Sequence, residues 1–525
     1  MVRNLFLVLF FLLLSSTSFA DNEQVFNQIL QGQIIITGNT LGLAKELDMN
    51  GPGIQDSIGT FISLESDSID NSPLNLYNPW PEYTTNSWLA NGSSAILTLP
   101  NSVEIVHAEL VWGGSYQYGG EDVTAFLNYG VQLSYDGADI SVVNPSRAST
   151  LAQVSDFGFL VNFYSRSADV TSYISEHGTG TYAVSAVPAT QSELNDDLNA
   201  AGWALVVVYK DRSQPFRKAL LQVGADWVDE SSPLSYTVDS FCTPSTGNVE
   251  GALLLAVLEG DANTILDTVS LTVNKNTTSL STTNNPADNF FGSQINDASG
   301  VLDTTGSFGN VNHDIAAATM VTGARQGWDI TGIELSSTNG PLINNMTSLT
   351  VTESTTGDSF SPVLFGAWID VTAPRFETAG SATLSEDTAT KGDQVEVTLV
   401  LNNAEGEADA LDSVLKLAVP QDITPISLEV GGTPVETFDL EAGVPLGNIT
   451  AGETITIILT IRVDEVVTDN LYYLKPNLTF EFEPCGEGDR INADFFTESP
   501  SLSLISSQSD PFPWEIFYPA FINKK

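Results

Sequence analysis

From Gln394 to Leu401, and again from Thr454 to Val463, apolar and polar side chains alternate one by one. Val395, Val397, Leu399 and Leu401 fall on one side of the chain, with Gln394, Glu396 and Thr398 on the other. Ile455, Ile457, Leu459, Ile461 and Val463 repeat the scheme against Thr454, Thr456, Thr460 and Arg462. A period of two puts successive side chains on opposite faces of an extended strand, and it does not suit a helix. Such strands bury one face of a sheet and leave the other in water. Residues 375–500, after a composition shift at Thr372-Ala-Pro374, are therefore predicted to form an immunoglobulin-like β-sandwich.

The upstream sequence reads as strand after strand. Val103–Trp112, Thr181–Val187, Trp203–Tyr209, Lys218–Val223, Gly251–Leu258, Val269–Val273, Leu349–Thr352 and Val363–Val371 are short runs rich in β-branched and aromatic residues, separated by Gly, Asn, Asp, Ser and Pro. Trp203–Tyr209 is apolar throughout, as a strand covered on both faces would be; it turns through Asp211–Pro215 into a hairpin with Phe216–Val223. Helices are expected only at Ser167–Glu176, with Asp169 in an early turn, and at Ser192–Ala200. Asn274–Asn289, rich in Thr, Asn and Ser, reads as a long surface loop. The expected fold class is all-β, with tandem β-sandwich domains. Residues 21–226 form an N-terminal sandwich, and 227–374 a second one or a continuation of the first. An immunoglobulin-like sandwich at 375–500 and an aromatic C-terminal tail at 501–525 complete the chain.

The first twenty residues carry Arg3, the apolar run Leu5–Leu14 and a small-residue ending at Ser18-Phe19-Ala20, the pattern of a signal peptide cut after Ala20. The run is too short to span a bilayer, so the mature chain is expected to be secreted or held at the cell surface without a transmembrane span. No Cys follows the cut, which argues against a lipid anchor. Charge narrows the partners. Of 525 residues, 18 are Lys or Arg and 65 are Asp or Glu, for a net charge of −47; removal of Arg3 with the signal leaves 17 against 65, or −48. Such a surface repels nucleic acid and anionic lipid. Disorder of the whole chain is not expected, because 42% of residues are hydrophobic and 9% aromatic.

Nothing in the sequence assembles a catalyst. There is no Gly-x-Ser-x-Gly elbow, and the three histidines, His107, His177 and His313, are scattered. His107 sits in a strand-like run and reads as a packed core residue. The chain is thus expected to be non-catalytic, with no cofactor other than calcium, which suits clustered carboxylates on loops. Glu259-Gly-Asp261 ends an apolar strand and could meet Asp267 or Asp288, so Glu259, Asp261 and Asp288 are the candidate metal ligands. Asp48–Asp56 has calcium-loop spacing, but Pro52 and Gly59 stand where ligands would be needed, and it reads as a turn. Cys242 and Cys485, in an oxidising compartment, could form one disulfide or remain two lone thiols.

Aromatic rings on loops suggest carbohydrate. Tyr77, Trp80, Tyr83 and Trp88 lie in a Pro-containing stretch, and Tyr77, Trp80 and Trp88 are the candidate ligand-binding residues. Lys391, Lys416 and Lys475 are candidates for lysine-to-asparagine cross-links. The tail Asp510–Lys525 is aromatic and Pro-interrupted; it either packs back on the last domain or docks on a partner or a neighbouring copy by adding a strand to a sheet edge.

Ile34–Leu43 followed by Ser57–Ile62, Ala108–Gly114, Ala168–Thr171, Ala201–Tyr209, Glu259-Gly-Asp261, Asp288–Phe291 and Arg325–Ile330 resemble, in that order, the N-terminal module of large bacterial surface proteins that carry repeats of the "domain of unknown function eleven" type. Lys391-Gly-Asp393 and Leu446–Glu453 resemble a single such repeat. The resemblance implies β-sandwich folds and an extracellular stalk or adhesive role, with other surface proteins or further copies of the chain as partners. The chain departs from that pattern in having one repeat instead of an array and no recognisable wall anchor. The function expected is that of a secreted structural or adhesive protein; the alternative is an extracellular carbohydrate-binding protein acting through the loop around Trp80.

Overall fold

The computed structural model describes residues 22–44, 57–72, 80–118, 120–156, 158–191, 198–262, 264–297, 299–314, 324–464, 470–486 and 488–506. The signal segment, the Asp48–Asp56 turn, Tyr77 and the tail beyond Ser506 lie outside them. Within them the chain is all-β and forms tandem β-sandwiches.

The first strand, Glu23–Thr40, organises everything up to residue 371. Its first part, Glu23–Gln31, pairs antiparallel with Phe216–Val223, and its second part, Gly32–Thr40, pairs antiparallel with Ala201–Lys210. It is therefore the middle of a nine-stranded ladder in the order Arg147–Thr150, Phe163–Asp169, Glu104–Ser115, Ala201–Lys210, Glu23–Thr40, Phe216–Val223, Ser361–Asp370, Glu250–Leu258, Trp328–Ser336. The ladder folds over at Gln31/Gly32, so its halves face each other. Ile34, Ile36, Ala204, Val206 and Val208 from one half share a core with Leu221, Leu254, Ala256, Leu258 and Ile330 from the other. At the fold Gly32 adopts φ 153°, and a β-carbon there would lie 1.9 Å from the Tyr209 carbonyl oxygen. Only glycine fits.

Each half is covered on its outer face by a four-stranded sheet. Over the first half lie Ala138–Val143, Val131–Tyr135, Gly180–Ser185 and Gly92–Leu97. Leu97, Leu133, Tyr182 and Val184 from this sheet pack on Leu110, Trp112, Trp203, Leu205 and Val207. Over the second half lie Leu234–Val238, Leu349–Thr355, Asp267–Val273 and Asn276–Ser279, with Tyr236, Val269, Leu271 and Val351 on Leu253, Leu255, Phe365 and Ala367. The result is four stacked layers whose inner two are buried on both sides. This explains the unbroken apolar run in Trp203–Tyr209: alternate residues serve alternate cores, and each buried Val or Leu contributes about 1.5–3 kcal/mol. Strands from both sides of residue 226 lie in the one ladder, so residues 227–374 are not built as a free-standing sandwich.

The immunoglobulin-like sandwich packs a five-stranded sheet, centred on Gln394–Asn402 and Thr454–Val463, against a four-stranded sheet centred on Ala410–Lys416 and Asn477–Phe482. Val395, Val397, Leu399, Leu401, Ile457, Leu459, Ile461 and Val463 are all buried, as their alternation predicts, with Ile455 partly so at the strand's start. The tail's first residues, Ser501–Leu504, form a strand between Thr388–Ala389 and Asn470–Tyr473.

Two expectations need correction. The first helix spans Thr171–His177 instead of Ser167–Glu176, because Phe163–Asp169 is held as a strand by Glu104–Ser115. Asp169 ends that strand, and its carboxylate accepts a hydrogen bond from the Thr171 amide at 2.8 Å. Asn274–Asn289 is not all surface loop. Asn276–Ser279 forms a hairpin with Asp267–Val273 across Asn274 and Lys275, both at positive φ, and Asn285 and Asn289 are buried. The described end of the second expected helix, residues 198–200, is not helical.

Cys242 and Cys485 form a disulfide, with Cα atoms 5.2 Å apart and a sequence separation of 243. It ties the four-layered unit to the C-terminal sandwich. Around it the Glu407 carboxylate accepts hydrogen bonds from the Ser245 and Thr246 amides and the Thr246 hydroxyl. Arg212 pairs with Asp494 at 3.0 Å, and Phe216 meets Phe482 with ring centroids 4.8 Å apart. No helix among the described residues is long and apolar enough to cross a membrane.

Candidate functional site

The Glu250–Leu258 strand leaves its sheet through Glu259, at φ 70°, into Gly260 and Asp261. Glu259 and Asp261 are both buried, which is unusual for carboxylates. Three further elements bring acids to the same end of the sandwich. Asp267 opens the next strand, Asp329 lies in Trp328–Ser336, and Asp358 lies in the turn before Ser361–Asp370. Asp267 and Asp329 are fully buried and Asp358 nearly so.

Each of these three acids is held by one oxygen. Asp267 Oδ2 accepts from the Phe291 amide at 2.6 Å, Asp329 Oδ1 from the Gln294 amide at 2.8 Å, and Asp358 Oδ1 from the Ser359 amide at 2.7 Å. Their other oxygens, Asp267 Oδ1, Asp329 Oδ2 and Asp358 Oδ2, have no hydrogen-bond partner, and neither does Asn289 Oδ1. Asn289 is buried and donates its amide N–H to the Ala262 carbonyl at 3.1 Å, one residue beyond Asp261. Asp329 Oδ2 faces the turn: a β-carbon on Gly260 would lie 2.4 Å from it. The strand end is thus shaped around that oxygen.

Burial is the main cause of a common electrostatic state. It pushes Asp267 up to about 7, against the hydrogen bonds from the Phe291 and Phe290 amides, with Asp288 adding to the rise. Asp358 is pushed up to about 9 by burial and by the charges of Asp261, Asp267 and Asp329. Asp329 is raised well above the carboxylate range by burial, then by Asp267 and Asp261. The acids therefore sit within electrostatic reach of one another, with acceptors in excess of donors. As the side chains stand, no three His, Cys, Asp or Glu residues among the described residues are grouped so as to hold a metal ion.

Of the candidates Glu259, Asp261 and Asp288, the fold carries Asp261 into this cluster and buries Glu259 beside it in sequence. Asp288 is exposed, and its backbone carbonyl accepts from the Leu266 amide at 2.6 Å. The buried neighbour on its loop is Asn289. Nothing local in the sequence distinguishes Asp358, and the one signal for Asp329 is that it lies in Arg325–Ile330, a stretch of the same resemblance as Glu259-Gly-Asp261 and Asp288–Phe291.

The aromatic stretch does not form a sugar platform at Trp80. Trp80 is buried against Leu43 and Ile62, so its ring faces are unavailable for stacking. Trp88 is half-buried in the short 3-10 turn Trp88–Ala90 and packs on Phe126, with centroids 5.2 Å apart; Phe126 in turn meets the exposed Tyr129 at 5.3 Å. Tyr83 is exposed, and Tyr77 lies outside the described residues. His107 is buried as expected, stacked on Phe26 with its Nε2 3.3 Å from Glu109.

No family model matches this sequence, and no curated protein does. Among solved structures, a candidate membrane-anchored protein from Corynebacterium diphtheriae is similar at 8% identity over 93% of this chain and 99% of its own, with a TM-score of 0.17. The N-terminal domain of a Streptococcus gordonii adhesin gives 11% identity over 86% and 100%, with a TM-score of 0.20. The major capsid protein P2 of bacteriophage PM2 gives 10% over 53% and 91%, with a TM-score of 0.16. Superpositions this poor carry no argument about what the chain does.

Proposed function

We propose that this chain is a secreted, non-catalytic structural or adhesive protein of the cell surface. The observation that carries the reading is the way its sandwiches are joined. A disulfide closing a 243-residue separation, a carboxylate clamp at Glu407 and a continuous apolar core make the four-layered unit and the C-terminal sandwich one cross-tied body. That construction suits a protein that must hold its shape outside the cell, where no reductant opens the bridge. The signal-like N-terminus, the acidic surface and the resemblance to modules of bacterial surface proteins support the same reading.

Expression of the full chain in a secreting bacterial host tests it. Recovery in the surface or medium fraction, with adhesion to cells or matrix lost when the protein is omitted, is expected. Retention in the cytoplasm, or turnover of a substrate by the purified chain, would overturn it. The carbohydrate alternative loses its centre with Trp80 buried. A glycan array read with wild type and Tyr129→Ala would revive it only if a specific signal vanished in the variant.

A further inference from the structure

We propose that the groove between the four-layered unit and the C-terminal sandwich, walled by an unpaired strand edge from each, receives the C-terminal segment of a second copy of this chain as an added β-strand. The groove has a volume of about 670 Å³, within the ~300–1,000 Å³ usual for binding clefts. One wall is residues 27–31 of Glu23–Thr40, and the other is residues 490–494, at the start of Ile491–Phe496. Successive side chains of a strand point to opposite faces, so a groove touched by five residues in a row runs along the strand's edge and not over one face. Among the described residues, 27–31 pair only with Phe216–Val223, and Ile491–Phe496 pairs only with Asn477–Phe482. The Gln31 carbonyl is in addition capped by the Asp211 amide at 3.0 Å. The rest of each edge turns unpaired N–H and C=O groups toward the groove, and what such a row takes up is another extended chain.

Charge, length and reach select the occupant. In the lining Lys210, Arg212 and Arg490 stand against Glu104, Asp211 and Asp494, an even balance in a chain with 18 Lys and Arg against 65 Asp and Glu. Residues 507–525, outside the described residues, are balanced too, with Asp510 and Glu515 against Lys524 and Lys525. Two strongly acidic copies can therefore meet here without the repulsion their surfaces otherwise impose. Within that segment Trp514-Glu515-Ile516-Phe517-Tyr518 lies between Pro513 and Pro519. It is five residues long, as each wall is, and has no proline inside, so every residue can donate to a ladder. The described chain leads away from the groove: Ile491 lies opposite Phe482, Phe496 opposite Asn477, and Leu504 opposite Asn470. Leu504 is ten residues beyond Asp494, about 30 Å at the rise of a strand. Trp514 is only ten residues further on, so a copy's own segment would have to double back fully stretched, whereas a neighbour's enters from outside.

This goes beyond the structural reading above without resting on it, since assembly of the purified chain is read without cells. Sedimentation velocity of the full chain in ~150 mM salt, which screens surface carboxylates, is expected to show mass rising with concentration. The species are a dimer that exchanges segments reciprocally or a longer row of copies. Backbone hydrogen exchange in residues 27–31 and 490–494 is expected to slow by roughly tenfold or more between dilute and concentrated protein. Ile516→Pro removes the N–H at the centre of the added strand and lies outside the described residues; it is expected to stay monomeric at every concentration with the thermal midpoint of wild type. The proposal is wrong if wild type stays monomeric, or if Ile516→Pro associates as wild type does. Protection of both edges already in dilute monomer would put the chain's own segment in the groove and overturn it as well. So would an oligosaccharide that protects the same amides while the protein stays monomeric, which would assign the groove to sugar.

Discussion

Asp267, Asp329, Asp358 and Glu353 share one physical condition, a carboxyl group inside an apolar sandwich without enough donors. Glu353 is fully buried in Leu349–Thr355 with neither carboxylate oxygen hydrogen-bonded, and burial pushes it up to about 8, with the charge of Asp226 adding to the rise. The sign of the pH dependence follows. An acid whose folded value lies above its unfolded one holds a proton longer in the folded state. It therefore contributes fully below about pH 4, and the contribution is lost as pH rises toward the folded value. The protein is expected to become more stable between about pH 8 and pH 5, the reverse of ordinary acid destabilisation, as urea midpoints would record. Glu353→Gln should leave stability nearly unchanged at about pH 5 and raise it at about pH 9, by on the order of 3 kcal/mol. Equal effects at both values would show that Glu353 is not held protonated. At this scale the sequence marks Glu259-Gly-Asp261 as a strand end that could meet Asp267 or Asp288. It does not mark Asp329 or Asp358, since an Asp within a strand or in the turn before one looks like any solvent-facing Asp until the opposite layer is in place.

Among the elements, the strand Glu23–Thr40 is the most consequential, because one continuous segment serves both halves of the folded ladder. Gly32 marks the change of partner, and its close approach to the Tyr209 carbonyl leaves no room for a side chain. Gly32→Ala is expected to cost at least ~2 kcal/mol, through backbone strain and displacement of Ala201–Lys210. A urea midpoint equal to wild type would contradict this account. The alternation in Gln394–Asn402 and Thr454–Val463 was readable because one face meets water. Trp203–Tyr209 was readable as doubly covered because it lacks any polar face. The extent of Asn276–Ser279 was not, since a Thr- and Asn-rich strand on an exposed sheet edge has the composition of a loop.

For the whole molecule, the Cys242–Cys485 bridge closes a very long loop, and in the chain-entropy picture such a cross-link stabilises by up to about 5 kcal/mol. The double variant Cys242→Ser/Cys485→Ser is expected to lower the unfolding free energy by about 2–5 kcal/mol and to let the C-terminal sandwich unfold separately, seen as two calorimetric transitions. A single unchanged transition would mean that the apolar junction alone couples the units. By itself the sequence determined an acidic, all-β chain, because charge and side-chain period are local properties. Tertiary structure alone decided that strands from both sides of residue 226 interleave in one ladder, that the two cysteines meet, that Trp80 turns inward, and that acids from distant strands gather at one strand end. Those outcomes depend on which strands become neighbours. Strand pairing rewards contacts far apart in the chain, which no local pattern records.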